Sequence, residues 1–156
     1  EAGKFYTRDA ANKKYVAVKA ADSDAIKIVT IDNINADKGI VMLNGATFYV
    51  QNNDIVASAG DGVETVDFTE GVKLNSDVKI WSTSGTDKDK YETFTIETLA
   101  ELFNEAKDNS KTLKAAVGVY ADKDGNVKID WIIVDNYYTD SEDNYVQTYD
   151  IVGKLA

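Results

Sequence analysis

The residues of this sequence that could do chemistry are carboxylates, amides and aromatic rings, because the commonest reactive side chains are missing. The chain has no His and no Cys. Without His it lacks the group that most often moves protons near neutral pH. Without Cys it can form no disulfide, thiolate–zinc site or thiol nucleophile. No Gly-x-Ser-x-Gly elbow, phosphate loop or dinucleotide fingerprint occurs in it. Paired carboxylates about 5–10 Å apart could support glycoside hydrolysis. With 27 Asp and Glu in 156 residues, however, such pairs arise by number alone. The inventory points away from an enzyme, and no catalytic, cofactor-binding or metal-binding residue is assigned.

Three oxygen-rich clusters and one aromatic set remain. Asp122, Asp124 and Asn126 have the look of a calcium loop. An EF-hand loop needs Gly at its sixth position and Glu at its twelfth, whereas Gly125 is fourth from Asp122 and Ile133 is twelfth. These residues read instead as a tight turn. Asp140, Glu142 and Asp143, with Asn136 and Asn144 nearby, could surround a hard cation, which makes calcium the one ion to consider. A solvated acidic loop accounts for the same residues. Asp32, Asn35 and Asp37 form a weaker second cluster. Among the aromatics, Trp81, Trp131, Tyr137 and Tyr138 offer flat rings that could stack on sugars. Trp131 shares the phase of Val127 and Ile129 and is expected in the core. Tyr137-Tyr138 is the surface pair.

Charge narrows the partners. Seventeen basic against 27 acidic residues leave a net charge of -10, and Arg8 is the single arginine. Nucleic acid needs clustered Lys or Arg, so neither it nor an anionic lipid surface is expected as a partner. The acidity reads as colloidal solubility. No run of about 18 apolar residues is present, so no insertion into a membrane is expected. Hydrophobic residues at 44% and charged residues at 28% are the composition of a globular chain. At this length about 70% of the unfolded surface can be buried. One domain over residues 1–156 is expected, with a looser segment at 1–25. The start at Glu1 and the end at Leu155-Ala156 fit a processed or excised piece.

Strands dominate the expected scaffold. Tyr15, Val16 and Val18 make a short one, and Ala25 to Ile31 a better one, followed by a turn over residues 32–39. Gly39 to Val50 reads as a hairpin around Asn44-Gly45, since Asn-Gly accepts the left-handed angles of a type I′ turn. Gln51 to Asp54 is a loop. Further strands are expected at Ile55–Ala57, Glu64–Phe68, Asp77–Ser82 and Tyr91–Thr95, with a polar loop between Ser82 and Lys90. Leu99, Leu102, Phe103 and Ala106 recur at helical spacing and predict one amphipathic helix over about 96–108. Its N-cap is either Thr98, in a capping box with Glu101, or Thr95, with Phe94 and Leu99 as a hydrophobic staple. A hairpin then runs Ala115–Ala121, turns at Asp122–Asn126 and returns over Val127–Val134, with Val117 and Val119 on one face. A polar loop and a last strand, Tyr145–Val152, close the chain. This is a mainly β, α+β pattern: a twisted antiparallel sheet or partly closed β-barrel with a single helix.

Residues 78–136 carry a resemblance. A Val-Lys-Ile-Trp strand, an acidic polar loop, a Thr-Ile-Glu-Thr-Leu helix start, the Asp122-Lys123-Asp124-Gly125-Asn126 turn and the Val127–Val134 strand follow in order. This arrangement resembles β-rich modules of S-layer and S-layer-homology surface proteins of Gram-positive, clostridia-like bacteria. Lys38–Val50 is similar to their Gly-Thr-Tyr-Tyr-Val hairpins. The resemblance covers about half of the chain, and it includes no peptidoglycan-anchoring repeat. It implies a secreted, non-enzymatic structural or adhesion module of the cell surface, part of a larger exported protein whose anchor lies elsewhere. The implied partners are other surface proteins or a cell-wall polymer. A carbohydrate-binding module using the loop aromatics is the alternative, and a hydrolase is the third class.

Overall fold

The computed structural model describes residues 5–9, 14–18, 24–83 and 91–134. In chain order these form β1 (Phe5–Asp9), β2 (Lys14–Val18), β3 (Ile26–Asn35), β4 (Ile40–Asn44), β5 (Phe48–Gln51), β6 (Asp54–Val56), β7 (Glu64–Val66), β8 (Val72–Lys73), β9 (Lys79–Thr83), β10 (Tyr91–Phe94), α1 (Ile96–Asp108), β11 (Lys114–Ala121) and β12 (Val127–Val134). The architecture is α+β and mainly β, as the strand-rich pattern predicts. A seven-stranded sheet has the order β10-β9-β12-β11-β3-β4-β8. A three-stranded sheet has the order β6-β5-β7, and β1 pairs with β2. The large sheet is open and does not close into a barrel.

One pairing departs from an all-antiparallel sheet: β12 lies parallel to β9, with Trp131 opposite Lys79 and Val134 opposite Ser82. The reason is the path of the chain. β10 folds back on β9 at the sheet edge, and α1 returns the chain across the face of the sheet. The β11–β12 hairpin then enters between β9 and β3. Local hairpin patterning carries no information about that insertion.

α1 follows the spacing of its apolar residues. Leu99, Leu102 and Ala106 are buried, and Phe103 packs against the core from a half-buried position. Thr95 is the N-cap. Its Oγ1 accepts the N–H of Thr98 at 3.1 Å, and Leu99 lies in the core cluster with the partly buried Phe94 packed against it, where the staple needs them. The capping box on Thr98 is therefore not formed, because Thr98 is already inside the first turn. At the other end the Asn109 amide donates to the Glu105 carbonyl at 2.8 Å, satisfying one of the carbonyls that helix termination leaves over. α1 lies against β3 and β10. With the small sheet it covers one face of the large sheet. Val29, Val41, Leu43, Val117, Ile132 and Val134 of that face join Phe48, Val50 and Phe68 in a single core.

The Asn44-Gly45 step is not a hairpin turn. β4 pairs with β3 and β8, while β5 pairs with β6 and β7, so the chain passes from one sheet to the other at Gly45. Gly45 has φ +98, but Asn44 is not in the left-handed region, which a type I′ turn would demand of both. That turn occurs instead at Asn52 (φ 52) and Asn53 (φ 64), between Gln51 and its partner Asp54. β3 also outruns its expected end. Ile31 faces Leu43 and Asn33 faces Met42, so Asp32 is one extra residue in β3. This bulge lets the strand continue to Asn35 past polar residues.

A second bulge overturns the expected phase of β12. Val119 faces Ile129 but Gly118 faces Trp131, which inserts Asp130 into the strand. Val127, Ile129, Ile132 and Val134 then belong to the helix-covered core, whereas Trp131 and Ile133 turn to the opposite face of the sheet. Both are buried there, so Trp131 is an interior residue on a different side from the one its spacing predicts. β11 is correspondingly buried on both faces from Ala115 to Val119, instead of on the single face of Val117 and Val119. The expected strand at Tyr145–Val152 lies outside the described residues, as does the loop over 84–90.

Candidate functional site

Among the described residues, a well-organised polar cluster joins two turns from distant parts of the chain. The β11–β12 turn is built on Asp122. One carboxylate oxygen, Oδ1, accepts the N–H of Asp124 at 2.9 Å and the N–H of Asn126 at 2.9 Å. The Asp122 N–H donates to the Asn126 carbonyl at 2.9 Å, and the Gly125 N–H donates to the Asp122 carbonyl at 3.0 Å. The Asn126 N–H is the main cause that holds the Asp122 carboxyl below its ordinary value of 3.8; desolvation opposes it, and the Asp124 N–H and the Lys128 ammonium add to it.

The β5–β6 turn docks on this one. Asn53 Nδ2 donates to the Lys123 carbonyl at 2.9 Å, across 70 residues of sequence. Gly125 has φ +82, and a side chain on it would begin 3.1 Å from Asn53 Oδ1. The glycine thus serves both the left-handed turn and the close approach of the amide. Nothing in the sequence pairs these two turns in advance. Asn-Asn between Val50 and Ile55 does carry the signal for a type I′ turn, because Asn tolerates positive φ.

Lys27 makes a second cross-link. It sits on the core side of β3, facing Val117. Its Nζ donates to the Thr47 carbonyl at 2.7 Å and lies 5.5 Å from the Phe48 ring centroid and 5.6 Å from that of Tyr49. A lysine on an apolar face is satisfied there by one carbonyl and two aromatic faces.

Of the cluster Asp32, Asn35 and Asp37, Asn35 braces backbone. Asn35 Oδ1 accepts the N–H of Lys38 at 3.2 Å, capping the turn that leads into β4, while Asp32 is the bulge residue of β3. Asp67 Oδ1 accepts both the hydroxyl of Thr69 at 2.7 Å and its N–H at 3.1 Å. The hydroxyl, and then the N–H, lower that carboxyl below 3.8. Among the described residues no group of three acidic side chains is placed to hold a metal ion. Asp140, Glu142 and Asp143 lie outside those residues, as do Tyr137 and Tyr138. Trp81 is half-buried and faces Ile133, on the same side of the sheet as Trp131, and Trp131 is 6% exposed. Trp131 therefore offers no open platform for a sugar ring, while Trp81 keeps part of its surface exposed. Among the described residues no helix is long and apolar enough to cross a membrane. No protein family, curated protein or solved structure matches this chain.

Proposed function

We propose that this chain is a non-catalytic structural or adhesion module of a bacterial cell surface, one part of a larger exported S-layer-like protein. Its partners in this reading are neighbouring surface proteins or a cell-wall polymer. The observation that carries the reading is the use made of Asp122. Its Oδ1 is taken up by two backbone N–H groups, and its proton affinity is lowered. A general acid at neutral pH needs the opposite shift. Asp67 follows the same pattern. Acidic side chains that brace turns, in a sequence without His or Cys, belong to a scaffold more naturally than to an active site.

The test is co-sedimentation of the folded chain with purified Gram-positive cell-wall fragments, together with its self-association by analytical ultracentrifugation. Binding to wall or to itself, without turnover of a glycoside and peptide panel, is the expected result. Turnover that co-purifies with the protein ends the reading. So does retardation on a soluble glycan gel that is lost in a Tyr137→Ala, Tyr138→Ala double variant, which establishes the carbohydrate-binding alternative in its place.

A further inference from the structure

Asn44 and Gly45 are left without a hairpin to serve, and their geometry gives them another property. We infer that Asn44-Gly45 is a self-modification site, where the folded chain converts its own amide to aspartate and isoaspartate through a succinimide. Both residues are exposed. The Gly45 N–H donates to Asn44 Oδ1 at 2.8 Å, which brings the Gly45 nitrogen into van der Waals reach of the Asn44 Cγ bonded to that oxygen. Around Gly45 there is room for a ring to close and for water to follow, since a side chain built on it would meet nothing within 4 Å. Gly45 stands at φ +98, in a crossing segment between two sheets, where glycine adapts most freely.

The chemistry needs no other reactant than water. The Gly45 nitrogen gives up its proton to solvent base and attacks Asn44 Cγ. The Cγ–Nδ2 bond breaks, and Nδ2 leaves as ammonia with a proton from solvent. Water then opens the five-membered imide at either carbonyl, yielding aspartate or isoaspartate at position 44 with one new negative charge. Asn33 Oδ1 accepts the Ile34 N–H in the same way, at 2.9 Å, but Ile34 is β-branched and packs against the core, and three further steps are less favourably placed. The Gly125 nitrogen after Asp124 is committed to the Asp122 carbonyl at 3.0 Å. Asn126 precedes Val127, which is buried and β-branched. Asn53 precedes the larger Asp54, and its amide is held by the Lys123 carbonyl.

The product changes a joint of the fold. Opening to isoaspartate adds a methylene to the main chain between β4 and Thr47, whose carbonyl receives Lys27. The modification therefore slackens the tie between the large and small sheets.

The experiment holds the folded protein at mildly alkaline pH and physiological temperature and follows it by peptide mapping and mass spectrometry. An unfolded sample in urea and an Asn44→Gln variant run beside it. The expected result is that the folded chain's Asn44 peptide is the first among the described asparagines to exchange –NH2 for –OH, with isoaspartate as the main product. The melting temperature should fall as isoaspartate accumulates, and stay constant in Asn44→Gln. If another described asparagine converts first, or Asn44 survives in the folded chain while the urea sample loses it, the site is refuted. A melting temperature that stays constant as isoaspartate builds up refutes the consequence for the joint.

Discussion

Gly118 and Trp131 face each other across β11 and β12, and the indole fills the space that a side chain on Gly118 would occupy. A Cβ at Gly118 would fall within 2.6 Å of Trp131 Cζ2 and closer still to Cε2 and Nε1. This glycine is required by the volume of its neighbour, not by a left-handed backbone, since it is not among the residues with positive φ. The bulge at Asp130 turns Trp131 toward it.

Gly118→Ala should therefore destabilise the fold by about 1–3 kcal/mol, the range for overpacking a filled site. Trp131→Ala should cost about 3–5 kcal/mol. In the Trp131→Ala background the added methyl has room, so Gly118→Ala should become nearly neutral. Urea melts of the two single variants and the double variant give the coupling directly. Additive losses would mean that the indole does not lie over Gly118.

On α1, Leu99→Ala and Leu102→Ala should each cost about 2–5 kcal/mol, because both side chains are buried in the core. Phe103→Ala should cost less than truncation of a buried Phe, because Phe103 is only partly buried. Thr95→Ala should cost about 0.5–2 kcal/mol through loss of the cap. Glu101→Ala, at an exposed position with no capping role, should stay within about 0.5 kcal/mol of wild type. Thermal melts that reverse the order of Thr95 and Glu101 would restore the capping box on Thr98.

The acid limb of stability should involve Asp122 and Asp67. Both carboxyls have folded-state values below the ordinary 3.8. Their contribution is thus complete above the unfolded value and is lost as pH falls through the folded one. An Asp67→Asn, Asp122→Asn double variant keeps an acceptor oxygen in each turn but cannot take up these protons. Its stability should fall less steeply than wild type as the pH drops below 3.8, measured by urea melts at stepped pH. An unchanged slope would show that neither turn is sensitive to the carboxyl charge.

Asn53 combines two roles that separate by substitution. Asn53→Gly keeps the positive φ and loses the amide bond to Lys123, so it should cost about 0.5–1.5 kcal/mol. Asn53→Ala loses the bond and also suffers the left-handed backbone, adding about 1–2 kcal/mol. Asn52→Gly should be close to neutral, because it relieves φ 52 without removing the link to Lys123. Equal effects of Asn53→Gly and Asn53→Ala would place the turn outside the type I′ class.

Lys27→Met keeps most of the aliphatic stem while deleting the ammonium that bonds Thr47 and faces Phe48 and Tyr49. A loss of about 1–2 kcal/mol is expected from one hydrogen bond and the ring contacts together. The same urea melts measure it, and a variant as stable as wild type would show that the core alone holds the small sheet in place.

Features that depend on near neighbours are legible in the amino-acid order. The spacing of Leu99, Leu102 and Ala106 defines the helix, and Asp122 to Asn126 defines a turn whose side chain bonds its own backbone two and four residues on. The lack of His and Cys limits the chemistry whatever the fold. Features that depend on distant partners emerge only when the sheets assemble. Asn44-Gly45 has the local chemistry of a hairpin turn, yet β4 gains more by pairing with β3 and β8, and β5 by pairing with β6 and β7. Trp131 has the spacing of Ile129, yet one extra residue at Asp130 moves it to the other face, where Gly118 leaves room for it. Alternation has a period of two, so a single inserted residue reverses every later side chain in the strand. Neither the insertion nor the strand that accommodates it can be read from β12 alone. The parallel contact of β12 with β9 has the same origin, because it depends on the return of the chain through α1 between the two strands.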